Sequence, residues 1–307
     1  MKNVIVITGP TASGKTALSV ELAKKLNGEI ISADSMQIYK YMDIGTAKPS
    51  ELEMQGIKHH MLDIILPNES YNVSRYKKEA EECIKKVVDD GKVPIITGGT
   101  GLYINSLVYN INFSETTQNN EIREDMQRTA EIMGNEYVYN ILKDMDPEAA
   151  ARVHANNLKR VIRSIEIYKT TGRSIIEHEA ESRIIPSNYN FKVFCLNVQR
   201  EFLYKRIDAR VDLMMDQGLV DEVIMLENMG YATGETAMQA IGYKEILAYL
   251  KGYLTIKEAV ETIQQGSRRY AKRQITWMKK IKNVTMIDYD PTQGNNVLDT
   301  ITTSIDL

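Results

Sequence analysis

Only two cysteines, Cys83 and Cys195, occur in 307 residues, far apart and with no C-x-x-C partner. That spacing excludes a disulfide framework and a cysteine-ligated zinc site. Both thiols are expected as small buried hydrophobes. No apolar run approaches the ~18 residues that a membrane-crossing helix needs. The first strand pattern begins almost at Met1, which leaves no stretch for a cleaved signal. Charge of one sign is also missing: 38 Lys and Arg face 41 Asp and Glu, for a net charge of −3. Any surface for nucleic acid must therefore be a local patch. Repeats and low-complexity tracts are absent. A soluble, cytoplasmic protein is expected, and a 43% hydrophobic content is enough for one large α/β domain with an insertion, or for two domains.

The most informative stretch stands at the start. Val4-Ile5-Val6-Ile7-Thr8 reads as a strand and runs into Gly9, Pro10, Thr11, Ala12, Ser13, Gly14, Lys15 and Thr16, a complete G-x-x-x-x-G-K-T phosphate-binding loop. Glycines let successive backbone N–H groups turn toward phosphate oxygens, and the helix opening beyond them adds the positive end of its dipole. Lys15 supplies a mobile cation, and the Thr16 hydroxyl is placed to ligate Mg²⁺. This predicts a phosphorylated ligand without naming the chemistry.

Short apolar runs alternate with helical patterns over the first hundred residues, as in a doubly wound parallel sheet. The pattern predicts a helix over 15–26, a strand over 29–33 ending at Asp34, a helix over 73–91, and a strand over 93–97 ending in Gly98-Gly99-Thr100-Gly101. Ligands in such sheets sit beyond the carboxyl ends of the strands, so the turns at Gly9, Asp34 and Gly98 are expected to share one cleft. Residues 114–190 are polar and mostly helical, and strand pattern resumes at 191. The reading is a P-loop NTPase-like α/β fold, a parallel sheet flanked by helices, built from 1–113 and 191–307 and interrupted by a helical insertion. Helices are expected over 200–217, 220–229, 243–250 and 255–282, with a last strand over 284–287.

Several side chains could carry chemistry. Asp34 at a strand end could hold Mg²⁺ through water or take a proton from a nucleophile, or it could cap a following helix. The segment after the strand over 93–97 has no acid to position a hydrolytic water, only Thr hydroxyls and backbone N–H groups, which weakens an ordinary ATPase reading. Arg206 and Arg210, one helical turn apart, could clamp a phosphate or pair with Asp208 or Asp212. Arg268, Arg269, Lys272, Arg273, Lys279, Lys280 and Lys282 form a basic cluster on one predicted helix, with Tyr270 and Trp277 among them. Such a cluster is either a solvated face or a nucleic-acid contact, and Lys159, Arg160 and Arg163 in the insertion add weight to the second. His59, His60 and Asp63 lack a further ligand at helical spacing and read as structural. Met214, Met215, Met225 and Met229 read as helix core.

The ordered set of motifs resembles the tRNA dimethylallyltransferase, or tRNA isopentenyltransferase, family over nearly the whole chain. It consists of the loop at 9–16, Asp-Ser-Met-Gln-Ile-Tyr at 34–39, Gly-Thr-Ala-Lys-Pro at 45–49, His-His-Met-Leu-Asp at 59–63, Gly-Gly-Thr-Gly-Leu-Tyr at 98–103, Gly-Tyr at 242–243 and Ala-Lys-Arg-Gln-Ile-Thr-Trp at 271–277. The resemblance implies transfer of a dimethylallyl group from dimethylallyl diphosphate to N6 of the adenosine 3′ of the anticodon, in tRNAs reading codons that begin with U. It implies that the loop holds a prenyl diphosphate with Mg²⁺, that Asp34 is the general base, and that Thr100 and Arg210 act at the diphosphate with Arg206 in reserve. It further implies that Ser35, Met36 and Gln37 line the adenosine site, with Asp34 and Thr100 beside the tRNA. Arg123, Lys159, Arg160, Arg163, Arg268, Lys272 and Arg273 would contact the tRNA anticodon arm. Without cysteines for a C-terminal zinc finger the chain is similar to the bacterial form, and a monomer is expected. A P-loop small-molecule kinase, a nucleotide-dependent nucleic-acid switch and a prenyltransferase acting on free adenine nucleotides are the other readings the loop permits.

Overall fold

The computed structural model describes residues 1–113, 119–182, 185–234, 236–290 and 297–305. The chain divides into two compact units, one formed by Met1–Val108 with Asn188–Leu307 and the other by Tyr109–Ser187.

The first unit is built on β1 (Lys2–Thr8), α1 (Lys15–Leu26), β2 (Gly28–Ser32), a one-turn α2 (Glu51–Met54), β3 (His59–His60), α3 (Val73–Asp89), β4 (Val93–Gly98) and α4 (Gly101–Val108). All strand pairings are parallel, in the order β3-β2-β4-β1-β5-β6, where β5 and β6 come from beyond the insertion. β1 lies between β4 and β5, and Val4 to Ile7 are fully buried, so both faces of this strand are covered by helices. α3 shows how a helix docks here. Asn72 caps its first turn by accepting from Arg75 N, and Tyr76, Ala80, Ile84 and Val87 recur on one face at helical spacing and are buried against the sheet. The two-residue β3 escapes a periodicity reading because it is too short to show one.

The insertion carries α5 (Asn120–Met133), α6 (Asn135–Met145), α7 (Pro147–Ala151), α8 (Leu158–Thr171) and α9 (Ile175–Glu181). It has its own core, in which Met126, Ala130, Val138, Leu142, Val161 and Ile165 pack together. The unit break at Tyr109 and Ser187 stands a few residues away from the 114–190 read from composition.

After it come β5 (Tyr189–Asn197), α10 (Arg200–Asp216), α11 (Leu219–Asn228), α12 (Tyr243–Leu250), α13 (Ile256–Met278), β6 (Thr285–Asp288) and α14 (Val297–Ser304). α13 starts with a Thr255/Glu258 capping box and ends at Met278, not at residue 282. Lys279 is its C-cap, and Lys280 and Lys282 lie past its end, so they leave the helical face on which the sequence reading placed them. The methionine reading holds for Met214 and Met215, which pack against the core, and is corrected for Met225 and Met229, which are exposed. α11 needs only one apolar face, already supplied by Leu219, Val223 and Leu226.

Candidate active site

Three strand ends meet because of register. Thr8 of β1 is paired with Gly98 of β4, and Ser32 of β2 with Thr97. Ala33 N donates to Thr97 O at 2.8 Å, and Thr100 N donates to Ala33 O at 3.1 Å. The turns pack so closely that a Cβ on Gly98 would lie 2.3 Å from Ala33 O. Glycine is required there by contact, not by dihedral.

The loop over 9–16 enters α1 through Gly14 in a left-handed conformation, φ 91°, with no side chain capping the helix. The N–H groups of the first turn thus keep their hydrogen-bonding capacity for a ligand. Lys15 Nζ is folded back onto Pro10 O at 3.3 Å. Burial, with help from nearby Arg210 and against the opposing pull of Asp34, lowers the Lys15 pKa to about 8. Asp34 Oδ1 accepts from Met36 N at 2.9 Å, an Asx turn. No helix follows Asp34 until α2, so the helix-cap reading falls.

A cavity of about 360 Å³ opens over these ends. Thr11, Lys15, Thr16, Asp34, Ser35, Met36, Gln37, Arg210 and Arg273, all singled out from sequence, line it together. Thr100 does not line it: its Oγ1 accepts from Ser35 N at 3.0 Å and is hydrogen bonded to the Tyr270 hydroxyl. Tyr270 itself is pushed up to about 12 by burial and by Asp34. Gln37 keeps its amide busy, with Nε2 donating to Thr46 O and Ala47 O and Oε1 accepting from Ser32 Oγ. The two arginines of α10 part company. Arg206 Nε donates to Ala12 O at 2.8 Å, behind the loop, whereas Arg210 faces the cavity, where burial and Arg206 hold its pKa below the ordinary value. Neither pairs with Asp208 or Asp212, which instead accept from Arg268 and Gln264.

The remaining basic residues are dispersed. Arg268 is engaged with Asp208, and Lys272 lines a separate cleft with Arg200, Tyr204 and Tyr289. Trp277 packs against Gly101, where a Cβ would meet its ring at 3.2 Å. In the insertion, Arg123 and Arg163 both bind the buried Glu166 carboxylate, at 2.9 and 2.7 Å. Burial pushes that carboxyl up, but the two guanidiniums and the Asn119 N–H outweigh it and hold it below its usual range. Lys159 and Arg160 are exposed at the start of α8.

Sequence reasoning missed the far wall. Ile207, Val211 and Met214 of α10 join Ile241, Ala240 and Ile263 to make it apolar. Their spacing around Arg210 on one helix face was the available signal. Gly45, Thr46 and Ala47 form another side, held from behind by Glu222. Glu222 Oε2 accepts from Asp43 N and Ile44 N, and Oε1 from Gly45 N and the Tyr243 hydroxyl. The Tyr243 ring occupies the space a Gly45 Cβ would need, at 2.4 Å.

Thr16 and Asp34 offer a hydroxyl and a carboxylate, oxygen donors suited to a hard cation, and they line the same cavity as Lys15. Among the described residues no group of three His, Cys, Asp or Glu could hold a metal by itself. His60 is instead bound to Glu29 at 2.6 Å, and Asp63 to Lys48 at 2.5 Å. That donor set fits an ion carried mainly by substrate phosphates and water.

A family model described as IPP transferase matches residues 37–281. The chain belongs to the IPP transferase family. It is 54% identical over 290 residues to the tRNA dimethylallyltransferase of Acetivibrio thermocellus, spanning 94% of this chain and 93% of that one. The protein of the same name from Caldanaerobacter subterraneus is 51% identical over 278 residues, 90% and 88% of the two chains. Among solved structures, the full-length tRNA isopentenylpyrophosphate transferase of Bacillus halodurans matches with TM-score 0.75 and 40% identity, covering 99% of this chain and 95% of that one. A eukaryotic dimethylallyltransferase acting on tRNA matches with TM-score 0.81 and 31% identity, covering 99% and 78%. The IPP transferase match begins at Gln37, after the phosphate loop and Asp34, which lie within the span that the solved structures cover.

Proposed function

We propose that this chain transfers a dimethylallyl group from dimethylallyl diphosphate to N6 of the adenosine 3′-adjacent to the anticodon, in tRNAs reading codons that begin with U, and releases diphosphate. One observation carries the reading: a single cavity joins Lys15, Thr16 and Arg210 to an apolar wall of Ile207, Val211 and Met214, with the Asp34 carboxylate between strand ends. A diphosphate ester of a short hydrocarbon matches both halves.

The Lys15 ammonium, the Arg210 guanidinium and the free N–H groups at the start of α1 bind the diphosphate. They stabilise the charge that grows on it as the allylic C–O bond breaks. Mg²⁺, held by Thr16 with Asp34 nearby, would neutralise part of that charge. The N6 lone pair forms the new C–N bond, the C–O electron pair leaves with diphosphate, and the N6 proton passes to Asp34. Thr100 positions this carboxylate's turn through Ser35, and Met36 packs at the acceptor side. The adenosine must leave its stack, at a cost of about a few kcal/mol that contacts elsewhere offset. Lys159 and Arg160 on the insertion, and Lys272 and Arg273 on α13, supply phosphate contacts to the anticodon arm, with Arg123, Arg163 and Arg268 adding the donors that their pairing with Glu166 and Asp208 leaves over. On this reading the protein works in the cytoplasm, where its tRNA substrate is found, and as a monomer. Among the described residues no helix is long and apolar enough to cross a membrane.

The test is mass spectrometry of nucleosides from unmodified tRNA incubated with the protein, Mg²⁺ and dimethylallyl diphosphate. N6-dimethylallyl adenosine 3′ of the anticodon is the expected product. Phosphate transfer from ATP with no prenylated nucleoside would replace this reading by a kinase.

A further inference from the structure

The phosphate loop is closed at one end by a side chain from 263 residues away. Gln274 of α13 is 5% exposed, and its Oε1 accepts from Thr11 N at 2.8 Å. Its Nε2 donates to Gly99 O at 3.0 Å. The fit is tight on that side, because a Cβ on Gly99 would stand 2.1 Å from the Gln274 Nε2. Pro10, the residue before Thr11, has no N–H, and Ser13 N is bonded to Pro10 O. The Thr11 and Ser13 N–H groups are thus taken within the protein, while the start of α1 beyond Gly14 has no side chain capping it. A row of phosphates lies across such a loop, and Thr11 stands at the end opposite the helix. A third phosphate would meet the Gln274 carboxamide there, and the N–H that would receive it is already bonded.

We infer that Gln274 is a specificity residue that makes this loop a diphosphate site and rejects the terminal phosphate of a triphosphate. The inference deepens the reading of the cavity as a prenyl diphosphate site and rests on it. The rejection is negative selection: a triphosphate must either displace a buried amide from two partners or leave its last phosphate without donors. It applies to any polyphosphate chain, whatever is esterified to it.

The test compares inorganic diphosphate and tripolyphosphate as Mg²⁺ complexes, by calorimetry and as competitive inhibitors of prenyl transfer, in the full-length protein. Wild type is expected to prefer diphosphate by about tenfold or more, the scale of one charge-assisted hydrogen bond. In Gln274→Ala the ratio should fall toward one, through gained affinity for tripolyphosphate. Gly99→Ala, which drives the carboxamide off the loop by a different route, should shift the ratio the same way. Circular dichroism and thermal melting check that both variants fold. If either folded variant weakens both ligands equally, Gln274 merely ties α13 to the loop and the specificity role is overturned. If Gln274→Ala does not fold, Gly99→Ala decides. Wild type that binds neither diphosphate nor dimethylallyl diphosphate would overturn the underlying reading instead, a result distinct from an unchanged ratio.

Discussion

The cavity over the strand ends and the insertion handle positive charge in opposite ways. In the sheet unit, Lys15 and Arg210 face a cavity and are pushed toward neutrality by burial, and Arg210 sits close enough to lower Lys15 further. In the insertion, Arg123 and Arg163 are neutralised by the buried Glu166, and Lys159 and Arg160 stand in solvent. Cations held in a half-dry cleft without a carboxylate partner in contact are destabilising until an anion arrives, so they mark a place where a ligand supplies the missing charge. Cations paired around a carboxylate stabilise a fold, and exposed ones attract a polyanion at long range. The difference separates chemistry from docking.

The largest effect expected from breaking this contrast is at Asp34, the acid on the cationic cleft. Asp34→Ala should slow single-turnover prenyl transfer by ~10²–10⁴-fold, the range for a general base, with tRNA affinity nearly unchanged. A near-normal rate would remove Asp34 from the proton transfer.

Next comes the insertion's own anchor. Glu166→Ala leaves two arginines and the Asn119 N–H without their shared acceptor and should cost about 1–3 kcal/mol in thermal or urea unfolding. The sign with pH follows from the lowered carboxyl. Its contribution is complete above the ordinary carboxyl value of 4.5 and disappears as pH falls through the lowered value in the folded state. The wild-type minus variant difference should therefore shrink in acid, and a constant difference would show that charge is not involved.

A smaller effect sharpens the cleft side. With Lys15 titrating at about 8 in the free protein, kcat/KM for dimethylallyl diphosphate should fall as pH rises through that value. The limiting slope is about tenfold per pH unit, because kcat/KM reports the free enzyme. Lys15→Arg should move the fall to much higher pH. An identical profile in that variant would assign the fall elsewhere.

The smallest effect is on the exposed pair. Lys159→Ala with Arg160→Ala should weaken tRNA binding and leave donor affinity alone. The slope of log affinity against log salt should flatten by roughly 0.7–0.9 for each phosphate that the variant no longer neutralises. An unchanged slope would return these residues to a solvated helix face.

Much of the cleft was legible early because its parts are local. The strand, loop and helix over 2–26 form one contiguous unit, and motif, dihedral demand at Gly14 and helix start all fall within a few residues. Asp34 and Gly98 were legible for a similar reason, since a parallel sheet brings its carboxyl ends together. The basic cluster of 268–282 was only half legible. Composition shows charge, but not that Arg268 would find Asp208 one helix away or that α13 would stop at Met278.

By itself, then, the sequence determined a phosphate loop on a parallel sheet, an acid at the end of the second strand and a helical interruption, because these are properties of chain segments and of their periodicity. Only the tertiary structure decided which arginine faces the cavity, which side chain closes the loop at Thr11, and that the far wall is apolar. Those features join residues 194 to 263 positions apart, such as Arg206 with Ala12 and Gln274 with Thr11. Such pairings are set by how α10 and α13 pack over the sheet ends, and packing is selected by the burial of whole faces rather than by the identity of any one residue.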